Sequence, residues 1–218
     1  MMRMKFLGEF VGTAFLLAAN VGSASMAQSL TGNGALRILI NCMSTALALG
    51  LLITVFAGIS GAHFNPVVSL IEFFGKRLNA QQLIGYLFAQ FAGGFIGVVI
   101  ANLMYKAPLV TQSSIQREGW GILLGELIAT GGLVFVINTL RIQKKAELTP
   151  VAVAAWIAAA FLFTSSTSFA NPAVTFSRIW TDNISGIALQ SVVPFICAQL
   201  LGAILFSLLA ERLHKGEK

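Results

Sequence analysis

Two Asn-Pro dipeptides are the positions in this chain best suited to chemistry. One lies in Gly61-Ala62-His63-Phe64-Asn65-Pro66-Val67-Val68-Ser69-Leu70, the other in Thr167-Ser168-Phe169-Ala170-Asn171-Pro172-Ala173-Val174-Thr175-Phe176. Each stands between small residues and a short apolar run. Asn is a favoured helix N-cap and Pro a favoured first helical residue, so each dipeptide starts a helix. A capping Asn accepts a backbone N–H through its side-chain oxygen. Its amide NH2 is left over, with two donors that can face a small polar molecule. Two such starts in matched surroundings point to paired donors, a means of orienting a neutral hydrogen-bonding guest by its oxygen.

The elements that position them are apolar. Of 218 residues, 56% are hydrophobic and only 10% charged, against roughly a quarter charged in a soluble domain. The chain is read as a multi-pass membrane protein in contact with the lipid bilayer. Six stretches approach the ~20 residues that cross the hydrocarbon: about 6–27, 36–58, 80–104, 119–140, 150–168 and 188–211. The runs 65–74 and 171–180 reach only about 15 Å as helices, half the core thickness. They are read as half-helices. The first span begins with basic residues and reaches Ser23-Ala24-Ser25-Met26-Ala27, in the manner of a signal peptide. Glu9 interrupts it, however, and a similar segment recurs near 125, so it is read as a retained span.

The two halves echo each other. Gly8-Glu9 matches Gly125-Glu126, Asn65-Pro66 matches Asn171-Pro172, and Ala89-Gln90 matches Ala198-Gln199. Repeats at about 1–106 and 117–218, each with three full crossings, must insert in opposite senses. With both termini cytoplasmic, Lys and Arg fall ten to four between the inner and outer faces, which obeys the positive-inside rule. The net charge of +6 is thereby assigned to loops and not to nucleic-acid binding. The expected fold is an all-α membrane protein of six transmembrane helices and two re-entrant half-helices in an inverted repeat.

The half-helix N-termini then meet near the midplane, where their partial positive charges repel cations. The approach segments 60–64 and 166–170 are expected to be extended. The first offers the carbonyls of Gly61, Ala62, His63 and Phe64 as acceptors, the second those of Thr167, Phe169 and Ala170. Donors at the centre flanked by acceptors suit a file of water and small neutral solutes. His63 has no second His or carboxylate nearby in sequence, and Cys42 and Cys197 lie in apolar stretches, so neither a metal site, a disulfide nor a cofactor is expected. No nucleophile–base pair or phosphate loop suggests an enzyme. The rival class is a secondary active transporter, which also uses inverted repeats and broken helices but needs a titratable coupling residue near the midplane. Glycines at small-xxx-small spacing (Gly8/Gly12, Gly93/Gly97, Gly121/Gly125) are read as close helix contacts.

The doubled Asn-Pro box, the run Ile59-Ser60-Gly61-Ala62-His63-Phe64-Asn65-Pro66 and the pair Glu9/Glu126 resemble the aquaporin and glycerol-facilitator family over nearly the whole chain. The resemblance implies one pore per subunit, a homotetramer in the cell (inner) membrane, and Glu9 and Glu126 as anchors that accept hydrogen bonds from the pore loops. The family usually places Arg directly after the second Asn-Pro-Ala, as part of a narrow outer filter. Here that position is Val174. Counting from the boxes, the other filter positions resemble Thr45, Ala159 and Ser168. Such small residues imply a wider, less polar constriction, like that of a bacterial branch proposed to pass trivalent metalloid hydroxides such as arsenous acid, or glycerol-type solutes. Arg178 lies one helical turn beyond Val174. Two readings stay open for it: a substitute filter residue, or a vestibule residue that bonds a loop.

Overall fold

A computed structural model describes residues Met2–His214. Eight α-helices form in chain order: α1 Met2–Leu30, α2 Gly34–Ser60, α3 Pro66–Phe74, α4 Ala80–Met104, α5 Trp120–Ile142, α6 Thr149–Phe163, α7 Pro172–Ser177 and α8 Leu189–Leu213. Six of them, α6 counted with the 3-10 turn Ala146–Leu148 before it, are long and apolar enough to span a bilayer. An even number of crossings puts both ends of the described chain on one face, called here the terminal face.

Within the first half, α1 packs against α2 and α4; within the second, α5 packs against α6 and α8. Across the halves α2 meets α6, and α3 meets α7. The spans carry large apolar side chains outward, for example Leu47, Leu51, Phe88 and Val193, as lipid contact requires. Close packing inside relies on glycine. A β-carbon on Gly93 would strike the Phe10 carbonyl oxygen, and one on Gly202 the Leu127 carbonyl oxygen. Gly97 lies equally close to the Ala14 carbonyl. Gly8 faces the last turn of α2, at Ile59 and Ser60, whereas Gly12 receives the first pore loop, with the Phe64 ring directly over it. Gly125 faces Ser165 and Ser166, whereas Gly121 has open space and is no helix contact.

Two expected boundaries move. The fifth span ends at Phe163 and not near 168, because hydroxyl side chains draw the backbone out of the helix. Thr164 Oγ1 donates to Ala160 O (2.7 Å), Ser165 Oγ donates to Gly121 O (2.8 Å), and Ser166 Oγ accepts from Ser168 N (3.2 Å). These are the local bonds by which Ser and Thr compete with a helix. The second half-helix is α for only six residues, then tightens into a 3-10 turn, Arg178–Trp180. The connection from α4 to α5 is held over the face opposite the termini. Ser113 N donates to Ile179 O (2.7 Å), Ala188 N to Ile115 O (2.7 Å), and the Asp182 carboxylate accepts from Ser114 N (2.8 Å).

Candidate functional site

The two half-helices begin as the dipeptides dictate. Asn65 and Asn171 are extended N-caps, at φ −150° and −162°. Asn65 Oδ1 accepts from Val67 N (3.0 Å), and Asn171 Oδ1 accepts from Ala173 N (2.9 Å) and Val174 N (3.2 Å). The leftover amides reach across the junction between the halves. Asn65 Nδ2 donates to Ala170 O at 2.8 Å and Asn171 Nδ2 donates to Phe64 O at 2.7 Å. One donor of each NH2 is therefore used to tie the halves together, and one is left. It also means that the Phe64 and Ala170 carbonyls are not wholly free acceptors.

The approach segments are not simply extended. Ala62 and Phe64 are left-handed (φ 52° and 48°), and so are Thr167, Ser168 and Ala170 (60°, 49° and 48°). Such conformations cost about 1–3 kcal/mol each for residues with a β-carbon and persist only where the surroundings impose them. Here two buried carboxylates impose them. Glu9 accepts from Ser60 Oγ (2.6 Å), His63 N (3.0 Å) and Phe64 N (2.7 Å). Glu126 accepts from Phe169 N (2.8 Å) and Ala170 N (2.9 Å). A glutamine completes each site. Gln90 Nε2 bridges Glu9 Oε2 (2.8 Å) and Ser69 Oγ (2.9 Å), while Gln199 Nε2 bridges Glu126 Oε2 (2.6 Å) and Thr175 Oγ1 (2.8 Å). Charge-assisted bonds of this kind are about twice as strong as neutral ones and compensate the burial of the carboxylate. The sequence reading found neither Gln bridge, although Ala89-Gln90 and Ala198-Gln199 recur at matching places.

A cavity of about 560 Å³ runs past this junction. Its central wall includes Asn65, Asn171, Ala62, His63, Phe64 and Ala170, with Gly61 and Phe169 beside them. Toward the terminal face it reaches Glu72, Arg141 and Glu147, and toward the opposite face Thr45, Ser168, Val174 and Arg178. His63 is held by Ser69, with Nδ1 and Oγ 3.0 Å apart, and lies edge-on to Tyr86. Glu9 and Glu126 are fully buried and do not line the cavity.

Two of the expected residues are elsewhere. Ala159 is on the exposed side of α6, and Ile157 and Phe161 present that helix to the cavity. Two residues along an α-helix is a rotation of about 200°, so counting back from Asn171 through the hydroxyl-rich turn selects the wrong face. Thr167 does not line the cavity; it belongs to that turn, its N–H donated to Thr164 O (3.4 Å). The structure adds Asn20 of α1, which lines the cavity beside Thr45 and was not singled out from the sequence. Its signal was a lone amide in an apolar span.

Arg178 is 2% exposed. Its guanidinium carbon lies 3.5 Å from the centre of the Phe169 ring, and its Nε donates to Ser185 O. It thus bonds a loop and lines the cavity at once. Arg117 stands 4.9 Å from the same ring and donates to Gly186 O and Ile184 O (2.9 Å each). Burial pulls the Arg117 guanidinium down to about 10, partly opposed by Glu126, so it remains charged at neutral pH.

The sequence profile of the major intrinsic proteins matches residues 2–169. The chain belongs to the major intrinsic protein family. An aquaglyceroporin, AqpS, of Rhizobium meliloti is 41% identical over 198 residues, which is 91% of this chain and 84% of that protein. A glycerol uptake facilitator-like protein of Lactiplantibacillus plantarum is 27% identical over 219 residues, 95% and 96% of the two chains. The fold is also that of the aquaglyceroporin from Plasmodium falciparum, solved by X-ray, with a TM-score of 0.75 at 24% identity, covering 95% of this chain and 94% of that one. As a member of this family the chain is a multi-pass membrane channel that passes water and small solutes passively, and not an enzyme.

Proposed function

We propose that this channel passes small neutral hydroxylated solutes, glycerol or a metalloid hydroxide such as arsenous acid, along with water, while excluding ions and protons. One observation carries the reading: one cavity runs past both Asn amides, and apart from Arg178 its wall around Val174 is of uncharged side chains, Thr45, Ile157, Phe161 and Ser168. Asn65 and Asn171 are assigned the pore centre. The carbonyls of residues 61–64 and of Phe169 and Ala170 are assigned the relay, and Glu9 and Glu126 the loop anchors. Thr45, Ser168, Val174 and Arg178 are assigned the outer filter, with Ile157 and Phe161 in place of Ala159. A channel that turns donors and helix N-termini toward its centre repels a cation there. The carboxylates an active transporter would need are taken up by loop bonds, which favours uncoupled flux. We further assign a homotetramer in the inner membrane with both termini cytoplasmic, and inverted repeats at about 1–106 and 117–218. The names of the R. meliloti and L. plantarum relatives support glycerol as one substrate.

Stopped-flow light scattering on proteoliposomes, comparing water, glycerol and arsenous acid in one preparation, tests this. Solute flux independent of a proton or sodium gradient is expected. Water flux without solute flux would overturn the wide filter, and gradient-dependent uptake would overturn the passive mechanism. Arg178→Ala should change solute selection at least threefold. Unchanged permeabilities would return Arg178 to a loop-bonding role alone.

A further inference from the structure

The interior of α1 holds one amide side chain that the pore and its anchors do not use. Asn20 is 3% exposed and lines the cavity with Thr45. Its Nδ2 lies 3.0 Å from Thr45 Oγ1 and 3.4 Å from Asn41 Oδ1. The orientation of these amides is fixed by a group that can only accept. Asn41 Nδ2 donates to the Asn20 backbone carbonyl (2.6 Å) and to Ser23 Oγ (3.1 Å). Asn41 must therefore turn its oxygen toward the Asn20 side chain, and Asn20 must answer with its nitrogen.

Two consequences follow for the lumen. Thr45 Oγ1 accepts from Asn20, so its own hydrogen has to point elsewhere. Threonines within helices commonly give that hydrogen to the carbonyl four residues back, as Thr13 does to Glu9 and Thr54 to Gly50. Thr45 makes no such bond among the described residues. Its hydrogen is left for the cavity. Asn20 Oδ1, meanwhile, is buried without a protein donor, and Ser168 Oγ, also in the cavity wall, is buried without a partner. An unpaired buried polar atom costs about 1–3 kcal/mol. Apart from Arg178, the rest of this stretch of wall is apolar: Leu16, Leu49, Ile157, Phe161 and Val174. The second half has no counterpart. Eleven residues past Glu9 stands Asn20, and eleven past Glu126 stands Ile137, which also lines the cavity.

We infer that Asn20 is a specificity-determining residue of this channel, which turns the Thr45 hydroxyl into a donor toward the lumen and offers beside it an acceptor for a solute carrying neighbouring hydroxyl groups. The inference rests on the channel reading above and narrows it to hydroxylated guests. A donor and an acceptor one amide apart match two adjacent hydroxyls, one accepting from Thr45 and the other donating to Asn20. One water can also bridge the pair, accepting from Thr45 and donating to Asn20, but it finds the same partners in neighbouring waters of the file and so depends on the pair less than a solute with two hydroxyls does.

The test uses full-length protein in proteoliposomes, with Asn20→Leu, Thr45→Val and the double variant. Each single variant is expected to lower the glycerol-to-water permeability ratio about tenfold and the arsenous acid-to-water ratio by a similar factor. Water permeability is measured on each variant alongside, so that a general loss of conduction is told apart from a loss of selection. The double variant should be no worse than either single, because the two side chains act as one unit. A fall for glycerol alone, or for arsenous acid alone, supports the pair and names the guest. Ratios unchanged in an Asn20→Leu channel that still conducts water would overturn the inference. If Asn20→Leu does not insert, Thr45→Val decides, since it leaves the Asn20–Asn41 bond in place; an unchanged ratio there overturns it equally. A wild-type protein that passes neither water nor solute would instead take down the channel reading.

Discussion

The two halves of this channel agree where the chain is tied down and disagree where a solute would pass. In both, a buried Glu accepts two consecutive loop N–H groups, and a Gln bridges that Glu to a hydroxyl four residues after the Asn. In both, the glycine three residues past that Gln lies on the carbonyl one residue past that Glu. The lumen-facing positions diverge. Leu16 matches Leu133, but Asn20 stands against Ile137. The first half-helix runs nine residues and ends beside exposed charges, whereas the second runs six and ends on a buried arginine. The scaffold is held in duplicate because the same strained loop must be held twice. Selection needs no such symmetry, since a solute meets the two ends of the path in turn.

The sharpest way to break the comparison is at the anchors. Glu9→Ala and Glu126→Ala should be equally severe. Each orphans two backbone N–H groups inside the protein, at about 1–3 kcal/mol per donor, and loosens the left-handed residues of its loop. The expected outcome is loss of most flux and of most folded protein recovered from membranes, read by size-exclusion chromatography in detergent. Glu→Gln at either site keeps an acceptor oxygen and should retain more protein than Ala. If one half tolerates the change and the other does not, the equivalence drawn between them is wrong.

A smaller effect is expected at the paired glycines. Gly93→Ala and Gly202→Ala each push a methyl group onto a backbone carbonyl of the facing helix, and the helices must separate. Overpacking of this kind costs about 1–3 kcal/mol. The two variants should lower the thermal midpoint by similar amounts, while Gly121→Ala, which has open space around it, should leave it unmoved.

What could be read from the sequence follows the same division. The boxes, the half-helices and the carboxylates were legible because they are written twice and use residue types that are costly in an apolar span. Asn20 was not, because it occurs once. The face of α6 was not, because that helix is apolar all round: Ala159, Ile157 and Phe161 look alike as sequence, and only packing decides which of them faces inward. The early end of α6 was in principle readable from Thr164-Ser165-Ser166-Thr167, whose hydroxyls compete for the backbone. Arg178 was placed within reach of the lumen by helical spacing alone, yet its seat on the Phe169 ring depends on how the loops before and after α7 fold back on it, and no periodicity encodes that.

The smallest effect is expected at the end of the first half-helix, and it tests whether the two mouths differ in kind. Glu72 accepts from Arg77 Nε (2.6 Å) and lies 3.3 Å from Arg141 Nη1 on α5. The arginine side chains are about a third exposed, at 37% and 31%. Ion pairs of this exposure contribute about 0.2–1 kcal/mol, and Arg77 would still partner Glu72 if Arg141 were removed. Arg141→Ala should therefore lower the thermal midpoint only slightly at low salt. That difference should vanish at about 1 M salt, where the screening length falls to about 3 Å. Solute ratios should stay put, in contrast to the change expected for Arg178→Ala at the other mouth. If Arg141→Ala instead shifted solute selection as far as Arg178→Ala, the path would have a filter at each end, and selection could no longer be assigned to the Val174 mouth alone.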